Sequence, residues 1–230
     1  MYKAANIVFD AKDAGGLFYE RAVPYRVDAG TPEFCITITE EELELCRKDS
    51  PRSTDEAHRY ILSGTKFYFE LIKRGGMLLH SSAVVKDGRA YLFTANPGVG
   101  KSTHTGYWLK LYPDAYILND DKPAIRREGG VFYAYGTPWS GKYDISRNEG
   151  VPIGGIACLE RSGTNFIEPM PAAQAAAKIL SQTVRHVRRE RMDELLTTLD
   201  LLIREVPIYR LGCVNDISAA AVASETLLNQ

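Results

Sequence analysis

Hydrophobic and polar residues change their spacing near residue 75. Before that point, residues 34–39 alternate as in a strand, and apolar residues recur at helical spacing over residues 54–74. A pair of glycines ends this helical segment. The change of pattern predicts a small mixed α/β lobe over residues 1–75, followed by a second domain over residues 76–230.

The second domain begins with short apolar runs and ends with longer helical patterns. Asp87 and Gly88 separate two strand-like runs, and an Asp-Gly pair accepts the positive φ angles of a tight hairpin. The expected elements are strands over 78–85, 89–94, 115–118, 153–160 and 207–211, two strands around the turn at Gly129 and Gly130, and helices over 101–111, 171–204 and 216–228. This order predicts an α/β fold of mixed α+β character, with mixed β-sheets and a helical C-terminal part.

The composition narrows the class of protein. Of the 230 residues, 45% are hydrophobic, and 28 Lys and Arg nearly balance 29 Asp and Glu. This balance argues against a protein that binds nucleic acid or membranes through its overall charge. We find no export signal and no apolar run of about 18 residues. The four cysteines form no Cys-x-x-Cys pair, so we expect reduced thiols and a cytoplasmic location.

A phosphate-binding P-loop is indicated by the run Ala95-Asn-Pro-Gly98-Val-Gly100-Lys101-Ser102, in which alanine replaces the usual first glycine. The glycines let backbone N–H groups turn toward an anion, and the following helix N-terminus favours the same charge. Lys101 can reach the β- and γ-phosphates, and Ser102 can bind Mg²⁺. The alternative is a glycine turn that only joins a strand to a helix. The residues expected to bind the nucleotide are Asn96, Pro97, Gly98, Val99, Gly100, Lys101, Ser102 and Thr103.

Two adjacent carboxylates, Asp120 and Asp121, follow the next expected strand. One of them can bind a metal while the other accepts a proton from an attacking hydroxyl. The alternative is a polar turn that ends the strand. His80 lies within the strand expected over 78–85, on the hairpin partner of the strand that leads into the P-loop. It is either a structural histidine or a group near the phosphates.

The chain resembles the kinase domain of HPr kinase/phosphorylase and its relatives in three runs, LLHSSAVV, ANPGVGKST and LNDDK. That group shares a P-loop with the ATP-dependent phosphoenolpyruvate carboxykinases and has a strand histidine, a P-loop and an Asp-Asp pair in this order. The resemblance covers about residues 75–160. It implies a P-loop kinase core, ATP rather than GTP, and a homo-oligomer.

The resemblance also implies a role for each matching position. Lys101 and Ser102 hold the β- and γ-phosphates and Mg²⁺. One aspartate is the base and the other is a metal ligand, and we assign Asp120 as the base and Asp121 to Mg²⁺. His80 lies near the γ-phosphate or a second metal.

A loop after the acidic pair contains Trp139, Ser140, Lys142 and Arg147. An aromatic residue beside Ser140 and Lys142 can form a pocket wall with a cationic contact for substrate, and Arg147 can stabilise charge on the transferred group. The alternatives are a tryptophan that packs into the core and an arginine that faces water.

The sequence therefore predicts an ATP- and Mg²⁺-dependent kinase that phosphorylates a hydroxyl on a peptide, a protein or a small molecule. The rival is a nucleotide-binding regulator that changes shape without transfer, and a third interpretation is a simple NTPase. The adjacent carboxylates favour the kinase, because a sensor needs only one of them for its metal.

Overall fold

The structure is a computed structural model that describes residues 1–185 and 188–229 of the chain. A three-stranded sheet in the order β1-β2-β3 forms the N-terminal part, where β2 is antiparallel to β1 and parallel to β3. Three helices and a short 3₁₀ helix, Val23–Tyr25, accompany this sheet. The elements are β1 (Tyr2–Ala4), β2 (Ile7–Lys12), α1 (Gly16–Arg21), β3 (Phe34–Thr37), α2 (Glu40–Asp49) and α3 (Asp55–Ile72).

The local sequence explains two of these helices. Thr39 and Glu42 form a reciprocal capping box at the start of α2, which satisfies backbone N–H groups that the helix leaves free. The Thr54 hydroxyl accepts the backbone N–H of Ala57 at the start of α3. The longer helix, α3, then buries one face against the N-terminal sheet and the loop that carries Trp139.

The remaining strands form a nine-stranded mixed sheet. Its main path runs β4-β8-β9-β10-β6-β5-β7, with β12 beside β10 and β11 beside β12. The elements are β4 (Gly76–Leu78), β5 (Ser81–Lys86), β6 (Arg89–Thr94), α4 (Lys101–Leu111), β7 (Tyr116–Asn119), β8 (Ala124–Glu128), β9 (Val131–Tyr135), β10 (Gly150–Arg161), β11 (Phe166–Pro169), α5 (Ala172–Ser181), α6 (Arg189–Glu205), β12 (Ile208–Cys213) and α7 (Ser218–Leu227). This architecture confirms the predicted mixed α+β class with mixed sheets.

The directions of four strands determine which loops meet. Strand β10 is parallel to both β6 and β12, and β5 is antiparallel to both β6 and β7. Strands β6, β7, β10 and β12 therefore all point the same way, and their carboxyl ends share one edge of the sheet. Ligands of open sheets with parallel strands bind at such an edge.

An aromatic cluster connects the N-terminal sheet to the larger sheet. Its members are buried, and the ring centroid of Trp139 lies 4.7 Å from that of Phe67 and 6.2 Å from that of Phe9. We define the aromatic cluster as Phe9, Phe18, Phe67, Tyr68 and Trp139. Because Trp139 belongs to the second part of the sequence, residues on both sides of position 75 share this core.

The structure differs from two of the predicted elements and adds five that were not predicted. Residues 171–204 form two helices, α5 and α6, instead of one, and the connection between them includes two residues outside the described ranges. The strand predicted over 78–85 is interrupted, because the backbone N–H of Leu79 donates to Pro123 and that of His80 to Gln182. His80 thus lies between β4 and β5, not inside a strand. The elements β1, β2, α1, α2 and β11 were not predicted.

Two further features agree with the composition. All four cysteines, Cys35, Cys46, Cys158 and Cys213, are free thiols. Among the described residues, no helix combines the length and the apolar character that crossing a lipid bilayer requires.

Candidate functional site

A tight loop over residues 95–100 joins β6 directly to α4. Gly98 and Gly100 adopt φ angles of 78° and 119°, in the left-handed region that glycine tolerates best. A Cβ at Gly98 would meet no atom within 4 Å, so the backbone conformation, not space, requires glycine there. Ala95 is fully buried, which explains why a small side chain begins the loop.

Side chains from outside the loop brace it on two sides. Arg161, at the end of β10, donates from Nη2 to the Gly98 carbonyl oxygen at 2.8 Å. Lys178 of α5 donates from Nζ to Asn96 Oδ1 at 3.1 Å. No sequence motif indicates these two cations, because they lie 63 and 82 positions away from their partners in the chain.

Lys101, His80 and Asp121 form a connected group beside the loop. His80 Nε2 lies 3.2 Å from Lys101 Nζ and 3.1 Å from Asp121 Oδ1. Nε2 accepts from the Lys101 ammonium when it carries no proton, and it donates to the Asp121 carboxylate when it carries one. Burial lowers the pKa of Lys101, and the nearby Asp121 opposes this shift.

The pKa values of the two carboxyl groups are shifted in opposite directions. Burial raises the pKa of Asp120, although the backbone N–H groups of Gly141 and Tyr143 donate to its Oδ1 and Oδ2 at 2.6 and 3.2 Å. Burial also acts on Asp121, but the hydrogen bond from His80 and the charge of Lys122 outweigh it and lower the pKa of this carboxyl. Asp121 therefore stays ionised, whereas Asp120 binds a proton more readily than an exposed aspartate.

Asn119 shapes the turn that presents both carboxylates. Its side chain is fully buried, and Oδ1 accepts the backbone N–H groups of Asp121 and Lys122 at 3.0 and 2.6 Å. Its Nδ2 donates to the Thr137 carbonyl oxygen at 3.1 Å. Asn119, at the end of β7, thus fixes the turn, because its side-chain amide both donates and accepts hydrogen bonds.

The loop and the carboxylates face one cleft of about 460 Å³, which we call the acid cleft. It lies at the shared edge where β6 and β7 end. Four of its lining residues, Ser102, Thr103, Lys142 and Tyr143, are exposed. The lining residues are Asn96, Gly98, Gly100, Lys101, Ser102, Thr103, Asp120, Asp121, Gly141, Lys142 and Tyr143. Pro97 and Val99 complete the loop without lining this cleft.

The loop after the acidic pair corrects two expectations. Trp139 is only 1% exposed, its indole N–H donates to Ser63 Oγ at 3.0 Å, and its ring belongs to the aromatic cluster. It therefore cannot form the wall of an open pocket. Arg147 lies over the Tyr116 ring at 3.9 Å and does not line the acid cleft.

Ser140 is also buried and donates its hydroxyl to Asp144 Oδ1 at 2.7 Å, while its carbonyl oxygen accepts from Arg21 and Tyr60. These contacts anchor the loop to the N-terminal part of the chain. Of the four predicted substrate residues, only Lys142 lines the acid cleft. Gly141 and Tyr143, whose N–H groups hold Asp120, were missed because backbone donors have no sequence signature.

The contact between α3 and Trp139 gives a stability prediction. A Cβ at Gly64 would lie 2.8 Å from Trp139 Cδ1, so we expect Gly64→Ala to lower the free energy of unfolding by about 1–3 kcal/mol. Gly106 of α4 is the matched control, because a Cβ there meets nothing within 4 Å. Gly106→Ala should be neutral or stabilising by up to about 1 kcal/mol. Chemical denaturation measures both, and equal effects would contradict the predicted close packing.

A metal at this site would have few protein ligands. Among the described residues, no group of three or more His, Cys, Asp and Glu side chains is placed to hold a metal ion. Mg²⁺ beside a nucleotide commonly uses only one or two carboxylates together with phosphates and water. Asp121, held ionised, and the exposed hydroxyl of Ser102 line the acid cleft and fit that kind of site.

Comparison with known proteins finds a matching family and similar solved structures. The model of the family described as "ScmC: SynChlorMet cassette protein ScmC" matches residues 45–216. The structure of the Hpr(Ser) kinase/phosphatase from Coxiella burnetii is similar to the chain with a TM-score of 0.36 and 12% sequence identity, covering 66% of this chain and 97% of that chain. No curated protein matches the chain. The range matched by the family model includes His80 and every residue of the acid cleft.

Proposed function

We propose that this chain, which belongs to the SynChlorMet cassette protein ScmC family, is an ATP- and Mg²⁺-dependent kinase that phosphorylates a hydroxyl group. One observation carries the proposal. The 95–100 loop and both carboxylates, Asp120 and Asp121, face the same acid cleft. A phosphate chain on the loop would therefore have its terminal phosphoryl group beside a proton acceptor and an ionised carboxylate.

The loop supplies the positive environment that a triphosphate needs. Left-handed backbone at Gly98 and Gly100 turns N–H groups toward one side, and α4 begins at Lys101 with its free N–H groups at the same place. Lys101 lines the acid cleft and has no carboxylate within ion-pair distance among the described residues. Its ammonium is therefore available to the β- and γ-phosphates, once it leaves His80.

The different environments of the carboxylates support a division of roles. Asp121 stays ionised and, with Ser102, would hold Mg²⁺, which when bound neutralises charge on the phosphates. Asp120 has a raised pKa and keeps one acceptor position on each oxygen beyond the backbone bonds from Gly141 and Tyr143. A carboxylate with a raised pKa is the better proton acceptor, so Asp120 would be the general base.

The transfer step then follows from these positions. The acceptor hydroxyl gives its proton to Asp120 while its oxygen forms a bond to the γ-phosphorus. The bond between that phosphorus and the β–γ bridging oxygen breaks, and ADP leaves with the electron pair. Lys101 and the N–H groups of the loop stabilise the charge on the transferred group. Lys142 is exposed and lines the acid cleft, so it would contact the acceptor.

The proposal is tested with ATP labelled on its γ-phosphate. The purified protein, Mg²⁺ and an extract of the source cells are incubated together, with and without excess chelator. A double variant, Lys101→Ala with Asp120→Asn, is compared with a matched double variant, Lys48→Ala with Asp49→Asn, which makes the same charge changes at exposed positions of α2, outside the acid cleft. We expect label in a protein, peptide or small-molecule fraction only with Mg²⁺, and only for wild type and the matched variant.

Two other results would contradict a kinase. Release of free labelled phosphate without a labelled acceptor would establish an NTPase. Binding of ATP without any turnover would establish a nucleotide-dependent regulator. Label transfer that persists in the Lys101 and Asp120 double variant would place the reaction outside the acid cleft.

A further inference from the structure

A second cleft, which we call the outer cleft, lies against the other side of the 95–100 loop. Its volume is about 560 Å³, within the range of ordinary small-ligand pockets. It shares Gly98, Gly100 and Thr103 with the acid cleft. Its other lining residues are Val99, His104, Tyr107, Leu159, Arg161, Ser162, Cys213, Val214, Asn215 and Ala219. These three residues therefore line both cavities.

We propose that the outer cleft binds the nucleoside part of the triphosphate whose phosphates bind in the acid cleft. This inference rests on the proposed function, because it assumes a nucleotide on the 95–100 loop. It assigns to the base and ribose a place that the sequence motifs do not indicate, and it makes Tyr107 a residue that determines nucleotide affinity.

Strand topology supports the placement. Within the sheet, β7 lies on one side of β6, with β5 between them, and β10 and β12 lie on the other side. The carboxylates follow β7, whereas Arg161 ends β10 and Asn215 follows β12. A triphosphate that follows the loop from the carboxylates toward Thr103 therefore brings its nucleoside to the ends of β10 and β12. That is where the outer cleft lies.

The lining of the outer cleft suits a base and a ribose. Tyr107 of α4 is half-buried and presents an aromatic ring, on which a base can stack. Its hydroxyl donates to the Asn215 backbone oxygen at 3.5 Å, which connects the helix to the segment after β12. Leu159 and Val99 add apolar surface, and the exposed Asn215 amide offers both a donor and an acceptor.

The charge of the outer cleft also suits a nucleoside that carries a phosphate chain. Among the described residues that line it there is one cation, Arg161, and no carboxylate. An anionic ligand therefore meets no repelling charge, and the apolar base meets few ions that it would have to desolvate.

The test compares two ligands, Mg·ATP and Mg·tripolyphosphate, which carry the same phosphate chain with and without a nucleoside. Affinities are measured by calorimetry for wild type, Tyr107→Ala and Ser162→Trp, the last of which fills the outer cleft. We expect wild type to bind ATP about 5- to 150-fold more tightly than tripolyphosphate, which is the range that one stacked base adds. Both variants should lose most of this preference and keep their affinity for tripolyphosphate.

Two controls make the result specific. Tyr107→Phe keeps the ring and should keep the preference for ATP. Tyr133→Ala removes a half-buried tyrosine of β9 that lines neither cleft, and it should also keep the preference. Unchanged tripolyphosphate binding shows in each variant that the loop is still folded.

Three outcomes would overturn the inference. If the ATP preference persists in Tyr107→Ala and Ser162→Trp, the nucleoside lies elsewhere. If wild type binds both ligands equally, the phosphate site stands and no nucleoside site exists. If wild type binds neither ligand, the proposed function falls as well, and the inference falls with it.

Discussion

Asp120→Asn should lower the turnover number by about 10²- to 10⁴-fold, which is the usual contribution of a general base. Asparagine has nearly the same shape, and its oxygen can still accept the Gly141 N–H, but it cannot take a proton from the acceptor hydroxyl. The binding of ATP should change little, because the loop and Lys101 remain. Steady-state kinetics with the identified acceptor, together with calorimetric ATP binding, measures the two effects separately.

The raised pKa of Asp120 also predicts how turnover depends on pH. Asp120 must be unprotonated to act, so activity is lost as the pH falls through its pKa. Burial raises that pKa above the usual value of 3.8, and the acid limb of kcat should therefore begin at higher pH than an exposed aspartate would give. The variant should lack this limb. If Asp120→Asn retains full turnover, the base is another group.

Lys101→Met should weaken ATP binding and lower kcat/KM by about 10²- to 10³-fold, the effect of removing one group that stabilises transition-state charge. Its thermal stability should not fall. Burial lowers the pKa of Lys101, so the folded state disfavours the charged form and the ammonium costs stability at neutral pH. Methionine has similar length without that charge. Calorimetry with ATP and thermal denaturation together test both parts.

Lys48→Met is the matched control for this variant. Lys48 is exposed on α2 and lies outside both clefts. It should bind and turn over ATP as wild type does. If Lys101→Met also kept wild-type affinity, the phosphates would not lie on the 95–100 loop, and the proposed function would fail at its first step.

The sequence predicted best what depends on neighbouring residues. Helix α4 occupies the predicted range, 101–111, because the glycine loop that begins it is a local signal. The hairpin of β5 and β6 was predicted from Asp87 and Gly88, both of which adopt positive φ. The roles of Lys101, Asp120 and Asp121 stay predictions, although the structure places all three residues on one cleft.

The sequence predicted least where distant residues decide the structure. Trp139 lies among Gly, Pro and Ser, which suggests an exposed loop, but Gly64 leaves the space in which its ring is buried. Helix α2 is rich in charge and has little apolar spacing, so its capping box and its contact with α3 stabilise it instead. Strand β1 has only three residues, and β2 begins with three consecutive apolar residues, so neither shows a clear alternation in the sequence.

The burial of both tryptophans has a spectroscopic consequence. The chain has two tryptophans, Trp108 and Trp139, and each indole is shielded from water with its N–H donating to a side chain, His104 or Ser63. Trp108 lies in the helix that follows the 95–100 loop, and Trp139 lies two residues before Gly141, which holds Asp120. Intrinsic fluorescence therefore carries one emission signal from each half of the acid cleft, and replacing either tryptophan with phenylalanine isolates the signal of the other.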